Sequence, residues 1–310
     1  MTRRSALACL PGLIAAYAAR AQQMGRGQGT PVGPPVKLDV AGGVIDVTFT
    51  SDQFDLPRQA LLDWISTSAR AVSAYFGHFP VTRARLEVQM GGRRGVSGGV
   101  TYGNGEASTR IRVAQHTTES DLHEDWMMTH EFVHYGFPNM TREHHWIEEG
   151  SATYIEPIAR ASIKAWPVER VWGDMVRDMP QGLPAANDQG LDHTHTWGRT
   201  YWGGALFCLL ADVRIREKTQ CRKGLIDAFR AINRAGGDVT WDWPIERAFD
   251  VGDRATGTKV FATLYGEMAS KPMDVDLPDL WKQLGVERQG NQITFHADAP
   301  LAKVRAAISS

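Results

Sequence analysis

The stretch His130-Glu131-Phe132-Val133-His134, with Trp146-Ile147-Glu148-Glu149-Gly150 shortly after it, decides how this chain is read. Residues four apart on a helix lie on one face about one turn apart, so His130 and His134 can turn both imidazoles toward a single metal ion. Glu131 points roughly 100° around the same helix and need not be a ligand. Its carboxylate is left free to take a proton from water that a bound Zn²⁺ has acidified to a pKa of about 7. A catalytic zinc keeps three protein ligands and one open position, so a third ligand must come from elsewhere. Glu148 and Glu149 compete for that place. As neighbours on a second helix they point about 100° apart, and only one can face the ion.

The second segment, WIEEGSA over 146–152, resembles the Trp-Leu-x-Glu-Gly-x-Ala pattern of the gluzincin metallopeptidases, in particular the aminopeptidase N and glycyl aminopeptidase families. The resemblance assigns the third ligand to Glu149. Glu156 follows seven residues later, back on nearly the same helical face, where those families place an acid that hydrogen-bonds a zinc-ligating His. Thr200-Tyr201-Trp202-Gly203-Gly204-Ala205 is similar to their Tyr-x-Lys-Gly-Ala segment. Tyr201 matches the Tyr whose phenol donates to the developing oxyanion, a contact worth more in the transition state than in the substrate. Gly203 stands where the families carry Lys. The metzincin pattern fails, because Phe137 and Met140 occupy the positions where it needs Gly and His.

The chain has 310 residues, 22% charged and 43% hydrophobic, which suits one large or two modest globular domains with a buried core. A formal net charge of -1 argues against a nucleic-acid partner held by charge. Thr2-Arg3-Arg4-Ser5-Ala6-Leu7 resembles a twin-arginine export signal, followed by an apolar run from Ala6 to Ala19 and small residues around Ala21. Pro11 interrupts that run, which is shorter than the roughly 18 residues a membrane span needs. Residues 1–21 are therefore expected to be a cleaved signal peptide, leaving a periplasmic or secreted protein with no stable membrane anchor. Residues 22–36, rich in Gly, Pro and Gln, read as a flexible linker.

Lys37 to Thr50 alternates around Gly42-Gly43 as a hairpin, Pro57 to Phe76 has helical spacing, and Arg85–Gln89 and Thr109–Val113 return to period two. In the gluzincins a strand bordering the cleft binds extended substrate backbone, and Val100-Thr101-Tyr102 is placed to be that strand. The Gly-x-Met-Glu-Asn motif that grips a substrate's free amino terminus is absent, with only Glu106 nearby. The metal-binding helix is expected to start at Thr118 and Asp121, or at Ser120, and to run about four turns to Gly136. Pro157 should end or kink the next helix just after Glu156. Ala159 to His195 reads as loop-rich, with Trp166 and Trp172 in the core. His144 and His145 read as surface or cleft-rim residues, and His195 and Arg199 as candidates for a substrate carboxylate. A helix over 203–217 would separate Cys208 from Cys221, so two buried thiols are expected. Helices over Lys223–Asn233, Trp243–Phe249, Lys259–Met268 and Asp279–Leu284 and a strand over Ile293–His296 complete the reading.

The resemblance, which covers roughly residues 85–285, implies an α+β fold with a thermolysin-like zincin core. Residues 37–117 would form a small mixed β-sheet lobe with its helix, and 118–310 a zinc-binding, mainly helical lobe. It implies a peptidase with one Zn²⁺, acting on a peptide or protein, with Glu131 as base and Tyr201 at the oxyanion. The competing reading is a catalytically inactive periplasmic peptide-binding or scaffold protein that retains zinc.

Overall fold

Alternating apolar and polar residues build a five-stranded sheet in the first part of the chain. The computed structural model describes residues 29–103 and 105–310, so the expected signal peptide and the linker up to residue 28 lie outside the described residues. The strands are β1 (Val36–Val40), β2 (Gly43–Phe49), β3 (Arg83–Met90), β4 (Val96–Tyr102) and β5 (Ala107–Val113). They lie in the order β1-β2-β3-β5-β4. β1 pairs antiparallel with β2, β2 and β5 run parallel to β3, and β4 closes one edge antiparallel to β5. In β5 every second residue, Ala107, Thr109, Ile111 and Val113, is buried, as expected for a strand with one covered face. The cover is α1 (Arg58–Phe76), which turns Leu61, Ile65, Ala69, Val72 and Phe76 inward. The linker ends before residue 36: Val36 already belongs to β1, and the Val32 N–H donates to the Phe49 carbonyl at 2.7 Å.

Helices dominate the rest, giving the α+β class. They are α2 (Glu119–Glu124), α3 (Met127–His134), α4 (His145–Ser162), α5 (Val168–Asp178), α6 (Gly204–Thr219), α7 (Leu225–Arg234), α8 (Ile245–Thr256), α9 (Val260–Met268), α10 (Leu277–Leu284) and α11 (Ala302–Ile308). A hairpin of β6 (Val286–Gln289) and β7 (Gln292–Phe295) precedes α11. No helix among the described residues is long and apolar enough to cross a membrane.

Four local expectations are corrected. The metal-binding helix is two helices: Thr118 and Asp121 form the capping box of α2, but Asp125 is extended (φ -66°, ψ 129°) and breaks the run. Its carboxylate accepts from the Met127 and Met128 N–H groups at 3.1 and 3.0 Å and so starts α3 afresh. Of the two outcomes expected at Pro157, an end is ruled out, since α4 continues to Ser162. Arg160, one turn past the proline, pins the second half by donating to the carbonyls of Asp125 and His123. The loop-rich stretch contains α5, whose Val171, Trp172 and Met175 are buried. Cys221 is half-buried rather than buried; it and buried Cys208 are both free thiols.

The approach of α4 to α6 fixes the site. A Cβ on Gly150 would lie 2.3 Å from Gly204 Cα, and one on Gly204 would lie 2.1 Å from the Trp146 carbonyl oxygen. Only hydrogen fits there, so the two backbones touch. A π-helical turn, Arg199–Gly203, leads into α6 and carries Tyr201 to the ligands on α3.

Candidate metal centre

His130 and His134 leave α3 on one face, and Glu149 comes from the first turns of α4. Glu149 Oε2 is 3.1 Å from His130 Nε2 and 3.8 Å from His134 Nε2. The three ligand atoms all lie within 4.8 Å of one another. Tetrahedral zinc with bonds of about 2.0–2.1 Å needs ligand atoms roughly 3.3 Å apart, so the donor set fits one such ion. Glu148, the other acid in the pair, faces away: it accepts from the Met140 N–H at 3.2 Å and contacts His145 Nδ1 at 3.0 Å.

Protonation agrees with ligation. Burial pushes His134 down to about 3, leaving the neutral imidazole that a metal accepts. Burial also works to raise Glu149, but His134, His130 and His145 outweigh it and hold the carboxyl well below its usual range. His130 goes the other way: burial opposes its charge, yet the Glu149 carboxylate raises it.

Glu131 lies at the same site without competing for the ion. Burial raises its carboxyl to about 7, against His130 and the Thr101 hydroxyl. Thr101 Oγ1 donates to Glu131 Oε2 at 2.7 Å and lies 3.0 Å from the Glu131 carbonyl, tying edge strand β4 to α3. Gly99 makes room for the carboxylate, since a Cβ there would meet Glu131 Oε1 at 2.6 Å. The Tyr201 ring stacks on His130 at 6.0 Å and 15°, and Trp197 stacks on Tyr201 at 5.3 Å. The ligands, Glu131, Val100, Thr101 and Tyr201 all line one cavity of about 390 Å³. Tyr102 is on the same edge strand but does not line it.

Other expectations fare differently. Glu156, expected to hydrogen-bond a zinc-ligating His, bonds Arg160 at 3.2 Å instead, and His130 Nδ1 has no hydrogen-bond partner among the described residues. Arg199 is buried and paired with Asp188 at 2.7 Å, out of reach of a substrate, whereas His195 lines the cavity. Glu106 pairs with Arg85 at 2.7 Å. Sequence reading put His145 at the rim but missed its role: its Nε2 lies 3.2 Å from Glu149 Oε1. The i,i+4 spacing on one helix was the available signal. Glu143, His144 and Asp192 also have the spacing to hold an ion. There, however, Trp146 Nε1 and the Tyr265 hydroxyl already occupy both Asp192 oxygens, at 2.7 and 2.8 Å.

The fold is similar to that of an aminopeptidase N family protein from Idiomarina loihiensis, with 13% identity, a TM-score of 0.59, and coverage of 83% of this chain and 50% of that one. It is also similar to a variant of a two-domain M1 zinc metallopeptidase bound to L-arginine, with 12% identity, a TM-score of 0.50, and coverage of 79% and 54%. The chain spans about half the length of these structures. No family model matches the sequence, and no curated protein does. At such identities the likeness shows the fold, and the chain has the α+β fold of these zinc metallopeptidases.

Proposed function

We propose that this chain is a zinc-dependent peptidase holding one Zn²⁺ between His130, His134 and Glu149. The observation that carries the reading is the convergence, in one cavity, of three ligand atoms within 4.8 Å of one another with the Glu131 carboxylate and the Tyr201 ring. Zinc bound there supplies Lewis acidity, which polarises a carbonyl and acidifies water. Glu131, held by the Thr101 hydroxyl, takes the proton of the attacking water and delivers it to the leaving amine. Tyr201 donates its phenolic hydrogen to the oxygen on which charge gathers. Strand β4 lies at the edge of the sheet, paired with β5 on one side, and an extended peptide aligns along its other side as one more strand. We place the mature protein in the periplasm or outside the cell; the support is the twin-arginine-like start of the sequence.

The test is zinc stoichiometry together with cleavage of a mixed peptide library, on the mature protein and on Glu131→Gln. One zinc per chain in both is expected, with hydrolysis in the variant lower by about 10²–10⁴. Full hydrolysis by Glu131→Gln would remove the mechanism. Zinc in both without cleavage in either would leave a peptide-binding protein.

A further inference from the structure

Each carboxylate of the cavity already has a partner within the protein. Among its lining residues Glu131 is held by Thr101, Glu148 by the Met140 N–H and His145, and Glu149 by His130 and His145. These acids are engaged within the cavity wall, whereas one basic side chain of the wall is not. Arg142 lines the cavity, is exposed, and its guanidinium makes no ion pair or hydrogen bond among the described residues.

Asn139 lies three residues earlier on the same connector between α3 and α4. Its backbone is fixed on both sides: its N–H donates to the Trp241 carbonyl at 2.9 Å, and its carbonyl accepts from the Trp243 N–H at 3.1 Å. Asn139 is half-buried and lines the cavity, and its side-chain amide has no partner among the described residues. A planar guanidinium with several N–H donors and an amide NH₂ on a fixed backbone are the donors that match a carboxylate's two oxygens. The connector runs directly into the ligand helix, His145 and Glu149 following on α4.

We propose that Arg142 and Asn139 form a carboxylate-binding subsite, and that the substrate is a peptide presenting a carboxylate to it. This rests on the peptidase reading. Two sources share that chemistry, the peptide's C-terminus and an Asp or Glu side chain. The subsite sets where the peptide lies across the ligands, and therefore which bond is cut.

Binding tests it without turnover. Zinc-loaded Glu131→Gln holds peptides uncut, and isothermal titration compares three versions of one peptide mixture: free-acid, C-terminally amidated, and amidated with Glu in place of Gln. A charge-assisted bidentate contact predicts at least about tenfold tighter binding of a carboxylate-bearing version. Preference for free acid over amide identifies the C-terminus, and preference for Glu over Gln identifies the side chain. Adding Arg142→Gln should bring the preference close to unity, and Asn139→Ala should reduce it. The Arg142 guanidinium has no partner to lose, so the substitution leaves the fold intact. Equal binding of all three mixtures, no binding of any, or a preference unchanged by Arg142→Gln would overturn the subsite. A preference that follows Arg142, combined with no cleavage by the parent, would sink the peptidase reading and leave the subsite standing.

Discussion

His145 shows how much of a metal centre lies outside its motif. Its Nε2 takes Glu149 Oε1, leaving Oε2 toward His130 and His134, while its Nδ1 is held by Glu148. Partners that orient a ligand are worth about 10–100-fold in metal affinity. His145→Ala should weaken zinc binding by that factor, as read by competition with a chromophoric chelator, and an unchanged affinity would assign the contact to packing alone. Tyr201 is a sharper case, because its ring packs between His130 and Trp197 whatever the hydroxyl does. Tyr201→Phe keeps the stack and should keep the zinc, yet lose about 10²–10³ in kcat, the scale of one oxyanion donor. Equal kcat in the two proteins would remove Tyr201 from the chemistry. At this scale the sequence was legible where spacing is local: His130, Glu131 and His134 share one short helix. It was not legible for the bond from Thr101 to Glu131, which joins residues thirty apart in sequence. Nor could it show that Glu156 turns to Arg160 rather than to a zinc-ligating His.

Elements were legible where periodicity and composition agree, as in α1 and β5, and less so where tertiary contacts decide. The break at Asp125 follows from a carboxylate that caps α3 and from Arg160 reaching across from α4, and neither leaves a mark on hydrophobic periodicity. α5 differs: Val168, Val171, Trp172 and Met175 have helical spacing, and the surrounding charges hid it. The cap carries a pH signature. Burial raises the Asp125 carboxyl from 3.8 to about 6, against the Met127 and Met128 N–H bonds. The folded state therefore holds that proton more tightly than the unfolded state does. Its contribution is greatest at low pH and is lost as pH rises from about 4 to 6, by up to about 3 kcal/mol. Asn caps nearly as well without ionising. Denaturant unfolding of metal-free Asp125→Asn should show its stability relative to the parent increasing from pH 4 to pH 6 and then levelling; a constant difference would refute this. The junction of α4 and α6 allows less. In Gly150→Ala the new methyl meets Gly204 backbone, which cannot rotate away, so about 1–3 kcal/mol of stability should be lost in thermal unfolding. An unshifted midpoint would show that the helices have slack.

At the scale of the molecule, one apolar core runs from Ile45 and Val47 on the sheet through Trp146 and Phe207 to Val304 and Ile308, so the sheet and helices have no separate interiors to lose. The ligands are spread over this shared structure, two on α3 and one on α4, and β4 touches α3 through Thr101. An ion held there binds the native chain and has no preformed site in the unfolded one, so it stabilises by RT ln(1 + [Zn]/Kd), about 4 kcal/mol at a thousandfold excess over Kd. For a chain this long, 1 kcal/mol moves the midpoint by roughly 2 °C, so scanning calorimetry should show a zinc-dependent rise on the order of 8 °C. Chelation should reverse the rise, and added zinc should restore both the midpoint and peptide cleavage. In His134→Ala, which lacks one of the three ligands, the zinc-dependent rise should largely vanish, each protein being compared with its own metal-free midpoint. If parent and variant rise equally with zinc, the ion binds elsewhere, and the three-ligand centre is wrong however well its distances fit.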